Sequence, residues 1–104
     1  MLKKGNFALI QEDVQGGVKL TVKGRIDSNN ALELELKLGQ AIRSGRTNIT
    51  LNMFQVEYLC SAGIRAILKA YKNAKEAGGK FRIESPSECV KNVLGMAALN
   101  EMLV

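Results

Sequence analysis

Histidine is missing from this sequence altogether. That absence excludes a Ser-His-Asp triad, an HExxH zinc site and a phosphohistidine carrier. Cysteine is almost as scarce: only Cys60 and Cys89 occur, too few and too unpatterned for a disulfide framework. Both are expected to stay reduced, and two cysteines without histidine do not make a structural zinc site. No metal and no cofactor is expected. Long apolar runs are also lacking, since nothing approaches the roughly 20 residues that cross a bilayer. The start, Met1-Leu2-Lys3-Lys4-Gly5, offers two lysines but neither a long apolar region nor a small-residue cleavage site behind them. A cytoplasmic protein without membrane contact is the expectation.

Aromatic residues are few, two tyrosines and three phenylalanines with no tryptophan, and this bears on the charge. Fifteen Lys and Arg against ten Asp and Glu leave a net charge of +5, which alone would point toward nucleic acid. The basic residues, however, are scattered, and Phe7, Phe54, Tyr58, Tyr71 and Phe81 each sit in an apolar pattern. They read as core, not as a platform for stacking bases. Direct nucleic-acid binding is therefore not expected. An apolar fraction of 46% in 104 residues suits one domain over residues 1–104 with a modest core.

The chain opens as a hairpin. Residues 6–11 and 18–23 are strand-like, and Glu12-Asp13-Val14-Gln15-Gly16-Gly17 between them is polar and ends in two glycines. In the second strand Val18, Leu20 and Val22 face the core while Lys19, Thr21 and Lys23 face out. Asp27 and Ser28, both good N-cap residues, open a helix over about residues 30–44. Ala31, Leu34, Leu38, Ala41 and Ile42 form its apolar face, and Leu32 and Leu36 widen that stripe toward a second packing partner. Gly39 interrupts it at a cost of about 1 kcal/mol, which predicts close approach by another element. Gly45 fits a left-handed stop.

Next comes Asn48-Ile49-Thr50-Leu51-Asn52, a short alternating strand, then a second apolar cluster of Phe54, Val56, Tyr58 and Leu59. From Ile64 the period becomes helical, with Ile64, Ile67, Leu68, Tyr71 and Ala74 on one stripe. Ser61 at this joint is expected to be the N-cap, at a helix end whose free donors and dipole favour an anion. Gly78 stops the helix, residues 80–84 alternate as a strand, and Ser85-Pro86-Ser87-Glu88 reads as a capping box. The helix it opens carries Cys89, Val90, Val93 and Leu94, so Cys89 is expected in the core. A final amphipathic piece over residues 98–104, with Leu99, Met102 and Leu103, should dock on the core. The order β-β-α-β-α-β-α demands parallel strands with right-handed crossovers after the antiparallel hairpin. An α/β fold with a mixed sheet and covering helices follows.

The joint carries a resemblance. Leu51-Asn52-Met53, Tyr58-Leu59-Cys60-Ser61-Ala62-Gly63-Ile64 and residues 70–80 together resemble a STAS domain, specifically the bacterial anti-sigma factor antagonists. That resemblance implies a mixed sheet of four to five strands with three to four helices. The family reads aspartate, serine, serine or threonine, glycine, leucine at this joint, and its first serine is phosphorylated. Ser61 matches that serine, Gly63 the glycine and Ile64 the leucine. Cys60 stands in place of the aspartate, and Ala62 in place of the second hydroxyl. Gly24 through Asp27 is similar to the family's "glycine, any, leucine, aspartate", whose loop helps form the partner surface.

By resemblance the chain would be a non-enzymatic switch in transcription control. It would bind an anti-sigma factor with serine-kinase activity, free a sigma factor, and be released by phosphorylation at Ser61. A phosphoserine phosphatase would be a further partner. The implied surface comprises Gly24, Asp27, Ser28, Cys60, Ala62, Gly63, Arg65 and Lys69. Arg65, Lys69 and Lys72 lie on one helix face, which reads equally as a solvated face. Two alternatives stand beside this: a STAS scaffold that is never phosphorylated, and a Cys60-dependent phosphatase or sulfurtransferase with Arg65 as oxyanion holder. The second has a loop one residue short, only one glycine and no evident general acid.

Overall fold

In the computed structural model, which describes residues 7–96, the hairpin turns later than its polar run implies. Ala8–Val14 (β1) and Gly17–Ile26 (β2) pair antiparallel up to Val14 opposite Gly17, so only Gln15 and Gly16 form the turn. The expected first strand residue Asn6, the lysine-bearing start and the terminal piece with Leu99, Met102 and Leu103 lie outside the described residues.

After the hairpin come Asn30–Arg43 (α1), Asn48–Leu59 (β3), Ser61–Glu76 (α2), Phe81–Glu84 (β4) and Glu88–Met96 (α3). The sheet order is β1-β2-β3-β4, with β2, β3 and β4 parallel as the two β-α-β units require. The described sheet therefore has four strands and is covered by three helices.

Alternation sets the core. Val18 pairs with Ile49 and Ile49 with Phe81, while Leu20 pairs with Leu51 and Leu51 with Ile83, giving two apolar rows across three strands. Ala31, Leu34, Leu38 and Ala41 of α1 pack on them, with Ile67, Ala70 and Ala74 of α2 and Val90 and Leu94 of α3. Each fully buried Leu or Ile here contributes about 1.5–3 kcal/mol. All three helices share one face of the sheet. The other carries the polar residues Lys19, Thr21, Lys23, Thr50, Asn52, Arg82 and Glu84.

Six sequence expectations are corrected. The runs around residues 48–52 and 54–59 are one strand, whose buried positions are Ile49, Leu51, Met53, Val56 and Leu59. Alternation slips because Thr21 pairs with Asn52 but Lys23 with Gln55, and Gly24 with Val56 but Arg25 with Tyr58. Each slip is a β-bulge adding one residue to β3. Phe54 and Tyr58, read as core, are consequently 68% and 40% exposed, whereas half-buried Tyr71 meets the buried Phe81 edge to face. Leu32 and Leu36 do not meet a second packing partner among the described residues; they are exposed.

Gly39 is not closely approached by another element, for the atoms nearest a Cβ there belong to the guanidinium of Arg43 in α1 itself. The cap of α3 is Ser87, not Ser85: the Ser87 hydroxyl accepts from the Val90 N–H at 3.2 Å, and its own N–H donates to Met53. Cys89 is half-buried rather than fully in the core.

On the polar face Lys19 Nζ lies 2.9 Å from Glu84 Oε2, reaching across β3. The hydrogen bond from Lys19 lowers the Glu84 carboxyl below its ordinary value against partial burial, aided by the Lys19 charge, the Asn52 amide and Arg82. The same hydrogen bond and the Glu84 charge raise Lys19. For Glu84, a depressed folded value means stability present above the unfolded value and lost as pH falls through the folded one. E84Q should therefore melt slightly below wild type at neutral pH, a small effect because the pair is exposed, and the gap should close as pH falls below 4.5. A profile that coincides with wild type from neutral pH downward would show that the pair contributes nothing to stability.

Candidate functional site

The carboxyl ends of β2 and β3 lie side by side, Ile26 opposite Leu59, and both chains turn there into helices. In open α/β sheets this edge is where binding surfaces form. Cys60 leaves β3 in an extended conformation, φ −84° and ψ 173°. Its N–H donates to the Ile26 carbonyl at 3.0 Å, and its own carbonyl accepts from Ile64 N–H at 3.1 Å. One residue thus ends the strand pairing and begins the helix.

Cys60, not Ser61, is therefore the N-cap of α2, and its side chain makes no capping hydrogen bond. A thiol accepts too weakly for that role. Ser61 occupies the first helical position with its side chain exposed. No acidic residue lies in this first turn, whereas α1 has Glu33 and α3 has Glu88 in theirs. The positive end of α2 is left without the charge that its sister helices carry.

Gly63 explains how tightly the turn sits. A Cβ there would lie 2.6 Å from Leu59 Cδ1 and 2.8 Å from Ile26 Cγ2, so the turn rests directly on both strand ends. Ala62 packs half-buried beside it against the core.

Gly24 bends the neighbouring strand. It is buried at φ +89°, beside the second register slip, a conformation that L side chains rarely adopt. Beyond it, Asp27 Oδ1 accepts from the N–H groups of Asn29 and Asn30, each at 3.0 Å, and the Asp27 carbonyl accepts from Ala31 N–H at 2.9 Å. Asn30 answers: its Oδ1 accepts from Asp27 N–H and its Nδ2 donates to the Arg25 carbonyl, both at 2.8 Å. Asp27 is thus the working cap, although the regular helix begins at Asn30. Ser28 is exposed on this loop.

The structure brings Gly24, Asp27 and Ser28 to the same edge as Cys60, Ser61, Ala62 and Gly63. Arg65 is exposed on the first turns of α2, and Lys69 reaches across to α1, its Nζ 3.0 Å from Glu35 Oε2. Sequence reasoning missed three contributors. Asn30 was signalled by the Asp-x-x-Asn spacing of a reciprocal cap. Arg25 and Tyr58 gave no signal, because their pairing depends on the bulge; the Arg25 guanidinium lies 4.3 Å from the Tyr58 ring centroid. No cluster that could hold a metal ion occurs among the described residues.

The STAS domain family model matches residues 9–103. A putative anti-sigma factor antagonist, BtrV of Bordetella bronchiseptica, is 26% identical over 73 residues, covering 70% of this chain and 63% of that protein. The match thus spans less than two thirds of that relative's length. Among solved structures, unphosphorylated SpoIIAA, an anti-sigma factor antagonist, is similar at TM-score 0.84 and 22% identity, covering 93% of this chain and 86% of that one. Phosphorylated SpoIIAA from Bacillus gives 0.79 at 19%, covering 93% and 89%. An anti-sigma factor antagonist from Mycobacterium paratuberculosis gives 0.84 at 19%, covering 99% and 87%. At these identities the structural likeness establishes the fold.

Two substitutions test the joint. Gly63→Ala should destabilise by about 1–3 kcal/mol through overpacking against Ile26 and Leu59. Cys60→Asp should stabilise by about 1 kcal/mol, supplying both the missing acceptor and the missing charge. Urea denaturation of both reads the result, and an Asp variant no more stable than wild type would mean that the α2 end is already satisfied.

Proposed function

The chain belongs to the STAS domain family, and on that premise we propose that it is an anti-sigma factor antagonist switched at Ser61. The unphosphorylated surface around Ser61, with Gly24, Asp27, Ser28, Cys60, Ala62, Gly63, Arg65 and Lys69, docks on an anti-sigma factor with serine-kinase activity and so frees a sigma factor. The kinase then moves the γ-phosphoryl of ATP to Ser61 Oγ, the hydroxyl proton leaves to a kinase base, and ADP departs. A phosphoserine phosphatase restores the binding form. In this reading the chain is a substrate and a switch without catalysis of its own.

The observation that carries the reading is the exposed Ser61 at an α2 end with no acidic residue. Phosphorylation adds about −1.5 to −2 of charge there, where free amides and the helix dipole favour it. The fold tolerates the modification. The docked surface does not, since the same charge and bulk must be desolvated at the interface. The names of BtrV and SpoIIAA support the same assignment.

Cys60 favours a second reading. It supplies no carboxylate at the cap, where the family has aspartate, and a serine without that neighbour serves in a scaffold that is never phosphorylated. Intact-mass measurement after incubation with the source organism's anti-sigma kinases and ATP separates the two. The switch predicts a single phosphoryl adduct that Ser61→Ala abolishes; the scaffold predicts none.

Two variants test the switch further. Ser61→Asp should fold and gain about 0.3–1 kcal/mol from the dipole, yet lose binding to the anti-sigma factor. Ser61→Ala removes an exposed hydroxyl from a position that is not the cap, so it should stay within about 0.5 kcal/mol of wild type. It should bind and resist release by ATP. Melts and titrations of both decide it, and an Asp variant that binds normally would end the switch reading.

A further inference from the structure

A second surface lies between α1 and α2, away from Ser61. Leu32 and Leu36 stand on α1 at 59% and 52% exposure, one turn apart. Beside them Gly39 is not required by the backbone, since its φ is not positive, and the atoms nearest a Cβ there belong to the flexible end of Arg43, with Nη1 at 3.0 Å. What Gly39 does is leave a trough, walled by Leu36 and Ile42 on α1 and by Ala66 and Ala70 on α2. Only the flexible end of Arg43 lies over that space from within the helix.

The banks are basic. Arg43 and Lys69 line the trough, and Arg65 and Lys72 are exposed farther out on α2. The one carboxylate lining it, Glu35, is already paired with Lys69 at 3.0 Å. Arg43 lies over the position that a side chain at residue 39 would fill, so swinging it out opens the floor and frees a planar cation with two parallel donors.

We propose that the groove between α1 and α2 is a second docking site, for an acidic amphipathic helix of a protein partner. Apolar side chains at helical spacing enter over Gly39 between Leu36, Ala66 and Ala70, and flanking carboxylates meet Arg43 and Lys72, which the surface around Ser61 does not use. From residue 36 to residue 43 the trough is about two turns long, near 10 Å, so a short helix suffices. Lys69 stands roughly 12 Å along α2 from Ser61. Occupancy is therefore separable from the state of Ser61, and the site stands whether or not the switch does.

The probe is a fluorescein-labelled helical peptide of about four turns, with leucines on one face and glutamates on the other, set against a counterpart with lysine for every glutamate. Anisotropy titrations with the full chain should show the acidic peptide at least about tenfold tighter, with affinity falling as salt rises. Amide NMR shifts should cluster at Leu36, Gly39, Ala66 and Ala70. Gly39→Leu fills the trough and should weaken binding by about tenfold while keeping the native amide spectrum, and Arg43→Glu should weaken it by about fivefold through charge. Ser61→Asp should leave binding within about twofold. If Gly39→Leu disturbs the fold, the Arg43 variant carries the test. Equal affinity for both peptides, shifts outside the groove, or binding that survives both groove variants would overturn the proposal.

Discussion

The seating of one helical turn on two strand ends governs the rest of this structure. Gly63 puts backbone against Ile26 and Leu59, and the Cys60 N–H ties α2 to the Ile26 carbonyl. Together these contacts fix where Ser61 emerges and hold the β2–α1 loop beside it. The bend at Gly24 and the reciprocal Asp27–Asn30 cap set that loop from its own side. Without a side chain at residue 63 the helix end lies close to the sheet, and its first amides face outward at the edge where the strands stop. The surface around Ser61 is thus rigid backbone geometry, with few ordered side chains to rearrange when a charge arrives.

Much of this was legible in the sequence, for definite reasons. Val18, Leu20 and Val22 alternate cleanly because β2 is regular up to Thr21, and all three are fully buried. The small residues and the change of period around residues 61–64 marked the joint, and the crossover rule gave the parallel strands. Errors gathered where period and pairing part company. Two bulges in β3 shift the buried positions from every second residue to every third, so one strand read as two clusters and Phe54 and Tyr58 read as core. The cap of α2 was misplaced by one residue because serine is the better capping side chain. Here the strand's last hydrogen bond, made by Cys60, decides the boundary.

Two departures from local optimality then look alike. The α2 end lacks both a capping side chain and a first-turn carboxylate, and α1 spends a glycine where its own packing asks for none. Each forgoes stability of about 1 kcal/mol. Such conflicts between local preference and fold are expected where function intervenes. The first lies where a phosphoryl group would be welcome, and the second where a basic apolar trough opens.

The central claim is that the α2 end accepts two negative charges without cost to the fold while the docked complex does not. A chain carrying phosphoserine at position 61, made by semisynthesis, tests both halves in one preparation. Its thermal melt and its titration against the anti-sigma factor should be measured beside the unmodified chain. The account predicts an unchanged or higher melting temperature together with loss of binding by at least about a hundredfold. A phosphorylated chain that binds as well as the unmodified one, or that melts well below it, would contradict the account.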